Sequence, residues 1–366
     1  MHILNNVTSM RISLLIHCML SFFLASQSQT FTAAGKVTDA QNGQPLRGAS
    51  VFCQNTTIGT ATNAEGEFQL TLSDGGYDLI VTYNGYETYS ARINKSAENI
   101  GSMQVLLKLK DKNLAEVSIV ATNEVKDGWS KYGSLFRDQF LGMTENSGQC
   151  TIENPESLRF FYSRKRERLK VTAQEPLRIS NKALGYVIRY ELDSFLHEFP
   201  SGNTEYTGYA LFEKMEGSDA ENEQWQDTRE KAYYGSMLHF MRCYYDSTLG
   251  LNNYKLERVD PKTDKSRPIN NPYDSTFYEK TESGDATLFK NGKLRVAYAD
   301  EKPEKKYLST KGMSDKTTIQ ISMLDFPEMI IIEENGYFYD QKDILALGYW
   351  SWEKLADLLP YDYDPE

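Results

Sequence analysis

Cysteine and histidine are scarce in this sequence, and their scarcity removes most metal and nucleophile chemistry from consideration. The chain has four cysteines, Cys18, Cys53, Cys150 and Cys243, with wide spacing and no CxxC pair. That signals neither a zinc ribbon nor a disulfide framework. Of four histidines, His2 and His17 precede position 28, leaving His197 and His239 for the rest of the chain. Basic residues are also in the minority, 40 against 51 acidic ones for a formal charge of -11, so the global field repels a nucleic-acid backbone. The sequence contains no P-loop, no GxGxxG fingerprint between a strand and a helix, and no GxSxG elbow. No cofactor and no metal are therefore assigned.

Long apolar runs are equally rare. Ile12–Ala25 covers 14 residues behind Arg11 and is followed by Ser26, Gln27 and Ser28. This is the layout of an export signal, and it falls short of the roughly 18 residues a membrane helix needs. Residues 1–28 are read as a signal peptide cleaved after Ser28, with Met10 an alternative start and no retained transmembrane segment. His17 is too bulky before Cys18 for a lipid-attachment site. Export leaves three cysteines, expected as buried thiols; a Cys150–Cys243 bridge stays open as the alternative.

What the sequence does have is aromatic side chains: 24 Tyr and 17 Phe, which favour sheet over helix. From Phe31 onward, short alternating segments are punctuated by turn residues, which predicts a β-sandwich over 29–110. Val37, Val51, Phe68, Leu70, Leu72, Leu79, Val81 and Tyr83 occupy period-two positions facing its core. Gly43, Gly66 and Gly75 serve the turns, and Asn63 and Glu65 in NAEGEF read as a hairpin turn because the spacing of a calcium loop is missing. The combination Gly35, Val37, Asp39, Gly43, Pro45, Leu46, Gly48, Ala49, Val51, Gly59, Thr60, Thr62, Gly66, Phe68, Gly85 and Tyr86 resembles the carboxypeptidase regulatory-like domain, of transthyretin-like topology. The resemblance implies a structural or interaction module with no catalytic machinery. Zinc carboxypeptidases themselves carry an HxxE pair and a distant third ligand, and neither His197 nor His239 fits that pattern.

Residues 111–128 form a linker. Its LAEVSIVATN segment, ending at Asn123, resembles the LxEVxVxA stretch that follows this module in TonB-dependent transporters and is read as one more strand, with an edge strand open to a partner as the alternative. The remaining chain, roughly 240 residues, is too short for a plug and a barrel of about twenty-two strands. Residues 129–366 are expected to form a larger β-rich α+β domain. A short helix opens it over 129–141. One long helix spans Glu223–Ser247, a hairpin turns at Asn291–Gly292, and SWEKLADLL makes a closing helix stopped by Pro360. Phe140–Gly142, Cys150, Asn154–Pro155, LGYVIRYEL, YTGYALF, REKAYYGSMLHFMR and GYWSWEKLADLLPYDYDP resemble an uncharacterised domain of Gram-negative envelope proteins, a family that brings no established chemistry.

The candidate binding residues are Arg229, Ser236, His239 and Arg242, spaced to lie along one side of the long helix as a cationic strip for an anionic glycan, headgroup or peptide carboxylate. The competing reading makes the arginines ion-pair partners and packs His239 at a sheet boundary. RKRER at Arg164–Arg168 reads as a solvated hairpin tip, and YDYDPE as a solvated acidic terminus. The leading function is a non-catalytic envelope protein, periplasmic or associated with the outer membrane, that binds or scaffolds an envelope protein or an anionic ligand. The alternative is an envelope hydrolase with a carboxylate-based site in the second domain. Intact-mass analysis of exported protein is expected to give a chain beginning at Gln29; a mass that retains residues 1–28, or lipid on Cys18, contradicts the leader reading.

Overall fold

The computed structural model describes residues 30–110, 123–260 and 262–365. The expected signal peptide, its expected cleavage site and all but Asn123 of the LAEVSIVATN segment lie outside the described residues. The architecture is mainly β.

The first unit is a two-sheet sandwich. Its strands are β1 (Thr30–Asp39), β2 (Ser50–Cys53), β3 (Gly59–Ala61), β4 (Glu67–Ser73), β5 (Tyr77–Thr82), β6 (Tyr89–Ile93) and β7 (Met103–Leu107). They are arranged as β4-β1-β7 and β3-β2-β5-β6. Strict alternation builds the core: in β4, Phe68, Leu70 and Leu72 are buried while Glu67, Gln69 and Thr71 are exposed. Val37, Val51, Leu79 and Val81 join them, with Tyr83 partly buried at the margin. Each fully buried side chain of this size contributes about 1.5–3 kcal/mol. Asn63 Oδ1 accepts the Glu65 and Glu67 amides, so NAEGEF is a turn held by its own side chain.

Among the described residues, the second region holds two large cores and a small satellite cluster of Tyr307, Leu308, Tyr349 and Trp352. After α1 (Gly128–Phe140) come β8 (Cys150–Ile152), β9 (Leu158–Ser163), β10 (Arg168–Ala173), β11 (Leu177–Asn181), β12 (Tyr186–Glu198) and β13 (Thr204–Lys214). The 13-residue β12 runs through this six-stranded sheet, paired with β13 on one side and with β11 and then β10 on the other. Phe136 and Phe140 of α1 pack on it as the spacing of WSKYGSLFRDQFL predicts. Arg164–Arg166 are exposed on the β9–β10 hairpin tip.

The second core lies between two further sheets, β15-β14-β18-β19-β21 and β16-β17-β20. Their strands are β14 (Tyr254–Val259), β15 (Ser266–Ile269), β16 (Tyr278–Lys280), β17 (Ala286–Phe289), β18 (Lys293–Tyr298), β19 (Gln320–Asp325), β20 (Met329–Ile332) and β21 (Leu345–Gly348). The Asn291–Gly292 turn exists, with Gly292 at φ +90°, but joins β17 and β18, which belong to different sheets; the expected hairpin is corrected to a crossing between layers. Cys150 sits in the first of these cores and Cys243 in the second, and both are buried thiols along with Cys53, so the bridge is not formed.

Two helix expectations also change. The long helix is two: α2 (Asp219–Tyr233), opened by a Ser218–Glu221 capping box, and α3 (Met237–Tyr245). Between them Gly235 adopts φ +84°, and Ser236 caps α3 by accepting the His239 amide at 3.1 Å. A glycine in the left-handed region followed by a capping serine ends one helix and starts the next. The closing helix is replaced by turns, because tertiary bonds take its backbone: the Ala356 amide donates to Leu141 O at 3.0 Å, and Asn181 Nδ2 donates to Ala356 O at 2.9 Å. A further short helix, α4 (Lys305–Thr310), lies between β18 and β19.

A Cβ at Gly235 would lie 2.8 Å from Tyr298 Cδ1 and 2.9 Å from Gln320 Oε1. Gly235→Ala is therefore expected to lower unfolding free energy by more than about 1 kcal/mol in urea titration, combining backbone strain with this clash. An unchanged midpoint would show that the break does not need glycine.

Candidate functional site

The predicted strip does not survive as a strip. Arg229 lies on α2, Ser236 in the break, and His239 and Arg242 on α3. Arg229 donates from Nε to Leu184 O at 2.7 Å and from Nη2 to Gly185 O at 3.2 Å, with its guanidinium 4.3 Å from the Tyr186 ring centroid. Arg242 donates to the Asn335, Tyr361 and Tyr363 carbonyls at 3.1, 2.9 and 2.8 Å and pairs with Asp364 at 3.2 Å. His239 is buried. Its Nδ1 accepts the Gly235 amide at 3.2 Å, which leaves the proton on Nε2 facing Asn252 Oδ1 at 3.3 Å. Burial draws its pKa down to about 4, so the ring is neutral near pH 7. The two guanidiniums thus tie the helix pair to strand ends and to the C-terminal tail. That tail is corrected from a solvated terminus to a docked one: Tyr361 N donates to Asn55 O at 2.7 Å, and Asp362 accepts from both the amide and the hydroxyl of Thr57.

His197 is held through one ring nitrogen. Its Nδ1 lies 2.7 Å from Thr204 Oγ1, and Phe199 packs edge-on against the ring. Among the described residues, no group of three His, Cys, Asp or Glu side chains has metal-holding geometry.

Carboxylates do converge in one small cavity of about 110 Å³. Glu353 and Asp357 line it together with Met237, Leu238, Phe338 and Trp350. Burial pushes Asp357 up to about 7, moderated by hydrogen bonds from Thr144 and Asn146, and pushes Glu353 well above the usual carboxylate range, reinforced by the Asp357, Glu301 and Glu304 charges. The space is smaller than the roughly 150 Å³ that holds a benzene ring. A sugar unit or a dipeptide does not fit, so this pair does not make the carboxylate hydrolase site.

The larger concavity is a cleft of about 900 Å³ between the sandwich and the six-stranded sheet, a volume within the range of ligand sites. It exists because strand alternation sets two polar rows face to face. In the sandwich, Ala61, Ser50 and Thr82 are register partners across β3, β2 and β5. In the opposing sheet, Arg189, Glu191 and Asp193 alternate outward along β12 beside Leu211 and Tyr209 of β13. The two walls meet where Thr82 Oγ1 donates to Glu191 Oε1 at 3.3 Å, and Arg189 Nη2 reaches the same oxygen at 3.4 Å. Burial raises the Glu191 carboxyl, against the lowering pull of Arg189 and Thr82. Tyr83 and Tyr86, with ring centroids 5.4 Å apart, stand at the sandwich side. None of these residues was a sequence candidate. The available signal was the charge at every second position of RYELD, an outward polar row on a strand otherwise deep in a core.

The walls are held by a splice at the β2–β3 loop. Asn55 N donates to Ala210 O at 2.8 Å, Phe212 N donates to Thr56 O at 2.9 Å, and Thr56 bridges Leu211 in parallel. A second contact joins Asp78, Arg92 and Asn94 of the sandwich to Tyr337, Asp340 and Glu333.

Compared with known proteins, residues 33–119 match the model of the CarboxypepD_reg-like domain. The TonB-dependent receptor SusC of Bacteroides thetaiotaomicron is 32% identical over 99 residues, 27% of this chain and 9% of that receptor. The chain thus spans less than a tenth of that relative. Among solved structures, a DUF3823 family protein from Bacteroides ovatus aligns at 9% identity over 52% of this chain and 83% of its own, with TM-score 0.18. A putative membrane-associated protein of unknown function from Bacteroides fragilis aligns at 13% identity over 44% and 65%, with TM-score 0.17. Likeness at that level carries no argument about the second region.

Replacing Arg229 and Arg242 together with Gln is expected to lower unfolding free energy by at least about 2 kcal/mol, since hydrogen bonds from charged donors contribute about 1.5–3 kcal/mol each. Thermal melting checks this. A double variant of unchanged stability that loses a ligand would restore the binding-strip reading.

Proposed function

We propose that this chain, which carries a carboxypeptidase regulatory-like sandwich, is an exported, non-catalytic envelope protein that holds its ligand in the cleft between that sandwich and the six-stranded sheet. The observation that carries the reading is the splice at Asn55 and Thr56, which makes the sandwich one fixed wall of a concavity instead of a separate bead on the chain. Ordered walls lower the entropic cost of binding. The export signal read at residues 1–28 and the partial likeness to a TonB-dependent receptor support the envelope address. No described helix is long and apolar enough to cross a membrane. Both ring nitrogens of His239 and Nδ1 of His197 face neighbours, which supports a structural role for the two histidines.

Photo-crosslinking in the native envelope tests this reading. A photoreactive side chain at Asn84, exposed in the cleft, is expected to capture a defined ligand, whereas one at Leu251, 84% exposed and outside the cleft, captures none. Equal adducts at both positions, or adducts only at Leu251, would contradict it.

A further inference from the structure

We infer that the cleft ligand is an uncharged, polyhydroxylated chain, a neutral oligosaccharide; this rests on the cleft being the binding site. Three features of the lining converge on that chemistry. Hydroxyl and amide groups that can both donate and accept are dense: Ser50, Thr60, Thr82 and Thr172 with Asn84 and Gln174. Sugar hydroxyls have the same dual character, whereas a donor-only or acceptor-only ligand would use only part of each group's hydrogen-bonding capacity.

The ionic groups point the same way. Glu175, Glu191 and Asp193 face Lys110 and Arg189, three carboxylates against two cations, so an anionic ligand meets net repulsion. Arg189 and Glu191 already share a contact, which sets a fixed donor beside a fixed acceptor in the geometry a vicinal diol can bridge. Asp193 keeps one oxygen on Thr207 at 3.1 Å.

The apolar surface is aromatic rather than pocketed. Tyr83, Tyr86 and Tyr209 are each half-buried and line the cleft. Their flat faces suit the C–H face of a pyranose, and the Tyr83 and Tyr209 hydroxyls add polar edges, while that of Tyr86 donates to Asp39 at 2.6 Å. An extended peptide would need separate recesses for alternate side chains. Here the aliphatic lining is confined to a few residues such as Leu192, Leu211 and Pro176.

The test is calorimetry on the full mature chain against neutral oligosaccharides of glucose, galactose, mannose and xylose, with uncharged tetrapeptides and sulfated oligosaccharides as competitors. Tyr209→Leu and Asp193→Asn are measured beside the wild type, with melting temperature recorded for each. Binding of a neutral oligosaccharide is expected, with affinity that changes less than twofold between about 0.1 and 1 M salt, where screening length falls from roughly 10 to 3 Å. Each variant is expected to weaken it at least fivefold without a matching loss of stability. If tetrapeptides or sulfated chains bind instead and the variants weaken them, the ligand class is wrong while the cleft stands. If oligosaccharide binding is indifferent to both variants, the site lies elsewhere and both readings fall. Absence of binding by every neutral oligosaccharide overturns the inference.

Discussion

Among the described residues, the one short loop that bonds the sandwich to two distant segments at once is Asn55–Thr57, between its second and third strands. Its three residues bond to two distant parts of the sequence at once, the Ala210–Phe212 stretch of β13 and the Tyr361–Asp362 stretch of the tail. Each backbone bond contributes only about 0.5–1.5 kcal/mol net. Their joint effect is to place three segments, more than a hundred residues apart in the chain, in one hydrogen-bonded ladder. Arg242 extends that ladder by gripping the Tyr361 and Tyr363 carbonyls, so α3 and hence the second core are tied to the same point.

The cleft is a by-product of this constraint. Two sheets spliced at one end cannot lie flat against each other where both outer faces are polar, because burying unpaired Ser, Thr, Arg and Glu side chains would be unfavourable. They touch at Thr82 and Glu191 and diverge beyond, leaving a solvated wedge with aromatic and charged walls. The two-carboxylate cavity has the opposite character: it is small and mostly apolar, and burial holds its acids toward their neutral forms. Size and polarity together favour the wedge over that cavity as the proposed ligand site.

The sandwich was legible because period-two burial in segments such as EFQLTLS and turn glycines at 43, 66 and 75 are local signals that agree with each other. The same local logic found α1. It failed where tertiary bonds override propensity. SWEKLADLL has a helical pattern, yet Leu141 and Asn181 claim the Ala356 backbone. The break at Gly235–Ser236 was readable as a left-handed glycine followed by a capping serine, but the apolar spacing of Tyr233, Met237 and Phe240 ran through it. The cleft had no motif to find, since Thr82 and Glu191 are 109 residues apart. Arg229 and Arg242 misled for a related reason: sequence shows a charge but not the carbonyls that surround it.

The central claim is that the sandwich and the second region behave as one body through the loop splice. Native-state amide hydrogen exchange on the intact chain tests it most directly. The amides of Asn55, Phe212 and Tyr361 are predicted to exchange only with the opening that releases core amides such as those of Val81 and Ile188, with the same protection free energy. Exchange of those three amides at local-fluctuation rates, while both cores stay protected, would show that the sandwich moves independently and would remove the fixed cleft.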